Sequence, residues 1–108
     1  MLMKRLSQRE EHVMLAVWTL KEEAYLVAIK KYLSNILGKN WTLAAIHTPL
    51  RHLEDLGYLE SYLGDATAVR GGRAKRIYRI TKAGLEVLTE YRKITEALWA
   101  DFRGFSII

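Results

Sequence analysis

The segment that decides the fold is RGGRAKRIYRITKAG, residues Arg70 to Gly84. A glycine pair, Gly71-Gly72, follows Arg70, and the segment continues through Lys75–Ile80, a run rich in aromatic and β-branched residues that is typical of a strand. Thr81 follows as a helix-capping residue. The fifteen residues carry six basic side chains and no acidic one. Because like charges repel, this concentration predicts a surface that faces a polyanion.

A second strand is predicted just upstream. Residues 58–63 alternate like a strand, and the stretch 64–74 between the two strands contains three glycines, which predicts a long hairpin loop. After the hairpin, a helix is predicted from Lys82 to about Arg103. Its apolar residues recur at spacings of three and four, as in a helical dimer seam. They are Leu88, Tyr91, Ile94, Leu98 and Phe102.

Two helices are predicted near the start of the chain. The sequence Ser7-Gln8-Arg9-Glu10 is a capping box, and the apolar residues behind it follow a period of 3.6, so a helix is expected over residues 8–21. A second helix is expected over about 25–37, with Gly38 placed to end it.

The third helix is predicted over residues 43–56, with Thr42 as its cap and Gly57 at its end. Pro49 lies inside this helix, where proline removes a backbone donor and clashes with the preceding turn at a cost of about 3 kcal/mol. We therefore expect either a kink at Pro49 or irregular first turns.

Composition limits the classes of function. The chain has 108 residues, half of them hydrophobic, a net charge of +5 and no cysteine. Disulfides, thiol catalysis and cysteine-ligated zinc are thereby excluded. No apolar run reaches the roughly 20 residues of a membrane span, and the first residues do not form a signal peptide, so a cytoplasmic protein without membrane partners is expected. We expect one compact unit, with residues 1–80 as a DNA-binding part and residues 81–108 as a dimerisation helix and tail.

The element order predicts a mainly α fold with a small β-hairpin: a winged helix-turn-helix followed by a long C-terminal dimerisation helix. In this fold the third helix enters the major groove of double-stranded DNA and the hairpin loop grips the phosphate backbone. The candidate recognition residues are Thr42, Ala44, Ala45, Thr48, Arg51 and His52, and the candidate wing residues are Arg70, Gly71, Gly72, Arg73, Lys75 and Arg76. Arg51 is the candidate for reading a guanine, because arginine bonds that base in a bidentate way.

The stretch GGRAKRIYRITKAG, together with LRHLEDLGYLE at residues 50–60, resembles the wing and the helix 3 end of PadR-type transcriptional regulators. The pattern departs from that family in helix 3, where His47 and Thr48 stand in place of a Tyr-Pro pair. LSQREEHVMLAVW and WTLAAIHTPL resemble instead the penicillinase-repressor group. Both resemblances imply a dimeric DNA-binding repressor. The first implies release by a small-molecule effector, and the second implies control by proteolysis. The Thr-x-x-Gly junction, Thr81 to Gly84, and the long single helix after it favour the PadR resemblance.

The last helix is expected to form a homodimer through Leu88, Tyr91, Ile94, Leu98, Trp99 and Phe102, because together these residues would be a large apolar patch on a monomer. In multidrug-binding PadR relatives a tryptophan stacks a small aromatic effector at the dimer interface, and Trp99 is the residue that could do so here. It lies about one turn later than that tryptophan, which favours packing in the seam.

An enzyme is not expected. The three histidines do not have a metal-ligating spacing, and no pair of nucleophile and base can be named, so no cofactor or metal is predicted. Two rival functions remain: a winged-helix module that binds an acidic protein through its basic wing, and a small-molecule sensor whose affinity for DNA is secondary.

Overall fold

The computed structural model describes residues 6–64 and 74–102. Within these residues the chain forms four α-helices and one antiparallel pair of strands, in the predicted order. The elements are α1 (Gln8–Leu20), α2 (Leu26–Leu37), α3 (Leu43–Asp55), β1 (Leu59–Leu63), β2 (Arg76–Ile80) and α4 (Lys82–Phe102). The predicted fold class, mainly α with a small hairpin and a long last helix, is confirmed.

The start of α1 is fixed by the capping box that the sequence predicts. The Ser7 amide donates to Glu10 Oε1 at 2.9 Å, and Ser7 Oγ accepts from the Glu10 amide at 3.1 Å. These two bonds satisfy donors that the first helical turn leaves without a partner. The helix ends at Leu20, one residue earlier than predicted, because Lys21 adopts a positive φ of 54° and a 3₁₀ turn, Lys21–Glu23, follows.

The turn between α2 and α3 also follows the prediction. Gly38 ends α2 in the left-handed conformation at φ 65°, which glycine adopts without the steric cost that other residues have. Thr42 Oγ1 accepts from the Ala45 amide at 3.0 Å and so caps α3. Residues 43–48 are regular α-helix and the helix continues through Pro49, so irregular first turns are not found, and the other alternative, a kink at Pro49, stays a prediction.

One hydrophobic core joins the three first helices, the hairpin and the first half of α4. Among the described residues no polar or charged side chain is buried. The largest fully buried side chains are Val13, Met14, Val17, Ile29, Ile46, Leu50, Leu53 and Leu59. Close packing of these side chains fixes the orientation of α3 against α1, α2 and β1.

The hairpin pairs β1 with β2 in a register that runs from Leu59 opposite Ile80 to Leu63 opposite Arg76. Tyr25, just before α2, adds an isolated bridge to Ile77 on the other edge of β2. This bridge was not predicted, because a single paired residue has no periodicity that a sequence could show.

The junction between the hairpin and α4 is held by a short polar network. Thr81 Oγ1 donates to the Gly57 carbonyl at 2.6 Å and accepts from the Gly84 amide at 3.1 Å, which confirms Thr81 as the cap of the last helix. At Gly84 an added Cβ would lie 2.2 Å from the Tyr58 carbonyl oxygen. The close contact between α4 and the turn after α3 therefore requires glycine at this position.

Candidate nucleic-acid interface

The outward face of α3 forms a stripe of exposed residues along the helix. Ala44, His47, Thr48 and Arg51 are exposed, whereas the residues on the opposite face are buried in the core. Three of these four were candidate recognition residues. His47 was not among them, although its spacing of three from Ala44 and four from Arg51 places it on the same face of a 3.6-residue helix. We name these four residues the α3 stripe.

The other three candidate recognition residues have partners or burial inside the protein. Thr42 caps α3, and Ala45 is half-buried at the edge of the α3 stripe. His52 Nδ1 contacts Glu10 Oε2 and so links α3 to the first turn of α1. Contact between these three residues and DNA stays a prediction.

The Glu10 carboxylate is held in its charged form by this link. Burial raises its pKa, but the hydrogen bond from the Ser7 amide and the contact with His52 lower it by more, so the net pKa lies below the ordinary value of 4.5. The side chain of Glu10 is only 13% exposed, whereas that of His52 is 48% exposed. A charged Glu10 therefore forms part of the contact between α1 and α3.

The root of the hairpin loop holds two of the candidate wing residues. Lys75 Nζ lies 3.8 Å from the centroid of the Tyr25 ring. Arg76 Nη1 donates to Ser61 Oγ at 3.0 Å, and Ser61 Oγ donates to Glu54 Oε2 at 2.6 Å. The remaining wing candidates lie outside the described residues, and their role stays a prediction. They are Arg70, Gly71, Gly72 and Arg73.

Tyr78 on β2 is buried close to charged residues of α3 and β2. Burial and the charge of Glu54 raise the pKa of Tyr78, the charges of Arg76 and Arg51 lower it, and the net pKa lies above its ordinary value of 10.0. Charges of both signs, from Glu54 and Arg51 of α3 and from Arg76 of β2, therefore surround this side chain.

The second half of α4 exposes a large apolar surface. Leu98 is 68% exposed and Trp99 is 62% exposed, and Ile94 and Phe102 are also exposed on this half of the helix. The rings of Trp99 and Phe102 pack edge to face with their centroids 5.0 Å apart. These four residues are the α4 apolar face.

The other two candidate dimer residues contact their own protomer. Leu88 belongs to the core, and the Tyr91 hydroxyl donates to the Leu6 carbonyl at 2.8 Å. Their predicted role in dimerisation stays a prediction. Sequence periodicity placed these two residues in one stripe with Ile94, Leu98 and Phe102, because it cannot show where along a helix the packing within the protomer ends.

The sequence matches no protein-family model and no curated protein. Among solved structures, it resembles a PadR-family transcriptional regulator from Eggerthella lenta with 30% sequence identity and a TM-score of 0.67, over 87% of this chain and 80% of that one. The chain belongs to the PadR family of transcriptional regulators. The predicted family is thereby confirmed.

Two further structures share the fold of this PadR-family chain. A transcriptional regulator from Clostridium thermocellum has 20% identity and a TM-score of 0.66, over 94% of this chain and 98% of that one. A protein from Streptococcus mutans has 19% identity and a TM-score of 0.67, over 94% of this chain and 92% of that one. Both likenesses extend through nearly the whole chain, so the fold is shared from the first helix to α4.

The departure of this PadR-family chain from its family pattern lies on α3. Pro49 is buried against the core, while His47 and Thr48 lie on the exposed stripe. The proline is therefore on the buried face of α3, and the exposed face carries a histidine and a threonine, which can form hydrogen bonds.

The described part of this PadR-family chain contains no cluster of three or more histidine, aspartate or glutamate residues that could hold a metal ion. Within residues 6–64 and 74–102, no helix has the length and apolar character needed to cross a bilayer.

Proposed function

We propose that this PadR-family regulator is a homodimer that binds double-stranded DNA in a sequence-specific way and represses transcription. The observation that carries the proposal is the α3 stripe, which presents small and hydrogen-bonding side chains outward on a helix fixed by the core. The major groove admits one α-helix, and its base edges can be distinguished by such side chains. Arg51 is the residue we assign to reading a base.

The hairpin supplies the second part of the interface. Its loop carries the basic and glycine residues that suit a phosphate backbone. When basic side chains neutralise phosphates, counterions are released from the DNA, and this release dominates the affinity. Arg76 supports the proposal because it is an exposed cation held at the loop root by its hydrogen bond to Ser61.

The dimer is supported by the α4 apolar face. α4 has 21 residues, about 31 Å at 1.5 Å per residue, and its second half lies beyond the residues that pack in the core. A two-fold partner would remove Leu98 and Trp99 from water, and the same symmetry would present two α3 helices to two half-sites about one DNA turn apart.

The effector of this regulator is proposed to be a small aromatic molecule at the dimer interface. The exposed rings of Trp99 and Phe102 support this part, because flat aromatic ligands stack on such rings. Family membership favours release by such a ligand over control by proteolysis. The protein would act in the cytoplasm, where it meets the DNA.

The test is fluorescence anisotropy with two duplexes, one from directly upstream of the protein's own coding sequence and one with the same bases shuffled, at several salt concentrations. Tight binding that prefers the upstream duplex and weakens steeply with salt supports an autoregulating repressor. Equal affinity for both supports DNA binding with a target elsewhere. No binding to either duplex at low salt contradicts the proposal and favours an acidic protein partner.

A further inference from the structure

A second group of cations lies away from the wing, at the start of α3. The Arg9 guanidinium lies 4.5 Å from the centroid of the Trp41 ring, and Lys39 Nζ lies 4.8 Å from the same centroid. Both cations are exposed, and Trp41 immediately precedes Thr42, the cap of α3. We name Arg9, Lys39 and Trp41 the α3-start cluster.

The cations of this cluster have no acidic partner in the part of the chain that the structure describes. The ion pairs found there, within 4.0 Å, involve other basic residues. Glu10 is next to Arg9 in the sequence, but its carboxylate is held by the Ser7 amide and by His52. Two positive charges near one ring repel each other, so an anion that contacts both would stabilise the arrangement.

Trp41 positions these cations and is itself held by the fold. Its amide donates to Ser34 Oγ at 3.3 Å, and its ring is packed against the core. Its indole Nε1 is buried and has no hydrogen-bond partner among the described residues, so the indole is oriented by packing and not by a bond. The ring thus offers a fixed face, and cations favour the face of an indole.

The cluster opens onto a surface cavity of about 530 Å³, whose wall includes Arg9, His12, Lys39 and Trp41. The cavity lies where the first turn of α1 meets the turn before α3, and the Glu10–His52 contact joins the same two helices. The wing root instead meets the other end of α3, where Ser61 Oγ donates to Glu54 Oε2.

We infer that the α3-start cluster is a phosphate-binding surface, and that its occupant is the DNA backbone at the N-terminal end of α3, away from the wing root at the C-terminal end. The inference rests on the proposed function. Arg9 and Lys39 supply two charges for backbone phosphates, and Trp41 fixes where those charges stand. Together with the wing, the cluster would bind the DNA backbone near both ends of α3 and so set the position of α3 in the groove.

The test uses Arg9→Gln, Lys39→Gln and the double variant, with Lys93→Gln as the matched control. Lys93 is an exposed lysine on α4, on the side opposite the α4 apolar face. Binding of the upstream and the shuffled duplex is measured by anisotropy at several salt concentrations, and thermal melting of each variant checks its folding. Each lost phosphate contact should reduce the slope of log K against log salt by about 0.9.

We expect each single variant to reduce the slope by about one and the double variant by about two, with Lys93→Gln unchanged. The affinity should fall by the same factor on the upstream and shuffled duplexes, because phosphates carry no sequence information. Wild-type binding that is steep in salt, with slopes unchanged in folded variants, would overturn this inference and leave the proposed function standing. Failure of the wild type to bind any duplex would overturn both.

A second experiment distinguishes two possible occupants of the cluster, the DNA backbone and a free anion. Melting of the wild type and of the double variant is followed as inorganic phosphate is added, with sulfate added in parallel. Similar small shifts in both proteins support the backbone as occupant. Phosphate that stabilises the wild type but not the double variant, while both keep the same salt slope on DNA, would overturn the assignment to DNA.

Discussion

At the scale of single residues, Thr81 and Gly84 connect the two halves of the molecule. Thr81 bonds the Gly57 carbonyl that follows α3, and it also caps α4. Gly84 lets the α4 backbone approach the Tyr58 carbonyl more closely than any side chain would permit. The orientation of α4 relative to α3 therefore depends on two small residues.

Replacing Gly84 with alanine tests this contact. The new Cβ would lie 2.2 Å from a backbone oxygen, and the backbone must shift to relieve the overlap. We expect the free energy of unfolding to fall by about 2 kcal/mol or more, the cost typical of overpacking. Urea unfolding measures it, with Lys82→Ala, an exposed position in the same turn, as a control that should change by less than about 0.5 kcal/mol. Equal midpoints for Gly84→Ala and wild type would contradict the prediction.

The Glu10 carboxylate predicts a dependence of stability on pH. Because the folded pKa is lower than the unfolded value of 4.5, the unfolded state binds more protons below that value. The stabilisation is present above pH 4.5 and is lost as the pH falls through the folded pKa.

Glu10→Gln isolates this effect, because glutamine can still accept from the Ser7 amide in a capping box. We expect the wild type to be the more stable protein at about pH 7 and the difference to shrink by about pH 3, in urea unfolding at both values. A difference that is equal at the two pH values would show that the charge of Glu10 contributes nothing.

At the scale of elements, α3 divides its residues between two tasks. One face packs Ile46, Leu50 and Leu53 into the core, and the opposite face exposes the α3 stripe. Packing of the first face fixes the direction in which the second one points. Arg51, the last residue of the stripe, therefore projects from the helix in a direction that the buried face sets.

Arg51→Ala should reduce discrimination between the preferred and the shuffled duplex by about 1 to 3 kcal/mol, the contribution of a bidentate arginine–guanine pair. Arg79→Ala is the matched control, because Arg79 is also an exposed arginine of the described chain but pairs with Glu60 at 2.6 Å. Competition anisotropy measures, for each variant, the ratio of its affinities for the preferred and the shuffled duplex. An equal loss on both duplexes for Arg51→Ala would assign Arg51 to the backbone and not to a base.

At the scale of the whole molecule, α4 belongs to two environments. Val87 and Leu88 in its first half lie in the core of the protomer, whereas Leu98 and Trp99 in its second half are mostly exposed. Such a surface is unfavourable in water and is the kind that a second copy covers. This division along one helix is why the proposed dimer contacts begin near Ile94.

Leu98→Asp should convert the dimer to a monomer, because burial of a carboxylate in an apolar seam is costly. Ala100→Asp is the control, since Ala100 lies on the opposite side of α4 from the α4 apolar face. Light scattering coupled to size exclusion gives the mass of each protein. A dimeric Leu98→Asp protein would show that the seam lies elsewhere.

Much of the fold could be predicted because its signals are local. Each helix is capped or ended by a residue within one turn of the helix end, where the sequence indicates it. These residues are Ser7, Gly38, Thr42 and Thr81, the last through its bond from the Gly84 amide. The bridge of Tyr25 to Ile77 could not be predicted, because the two residues meet only after the chain has folded.

By itself, the sequence determined the order of the helices and the hairpin, their approximate ends and the resemblance to PadR regulators, since periodicity, caps and turn residues act over a few positions. Only the tertiary structure decided which residues meet: His52 contacts Glu10, Arg76 bonds to Ser61, and Arg9 and Lys39 both lie close to the ring of Trp41. These groupings join residues far apart in the chain, and close packing of the core sets which of them meet.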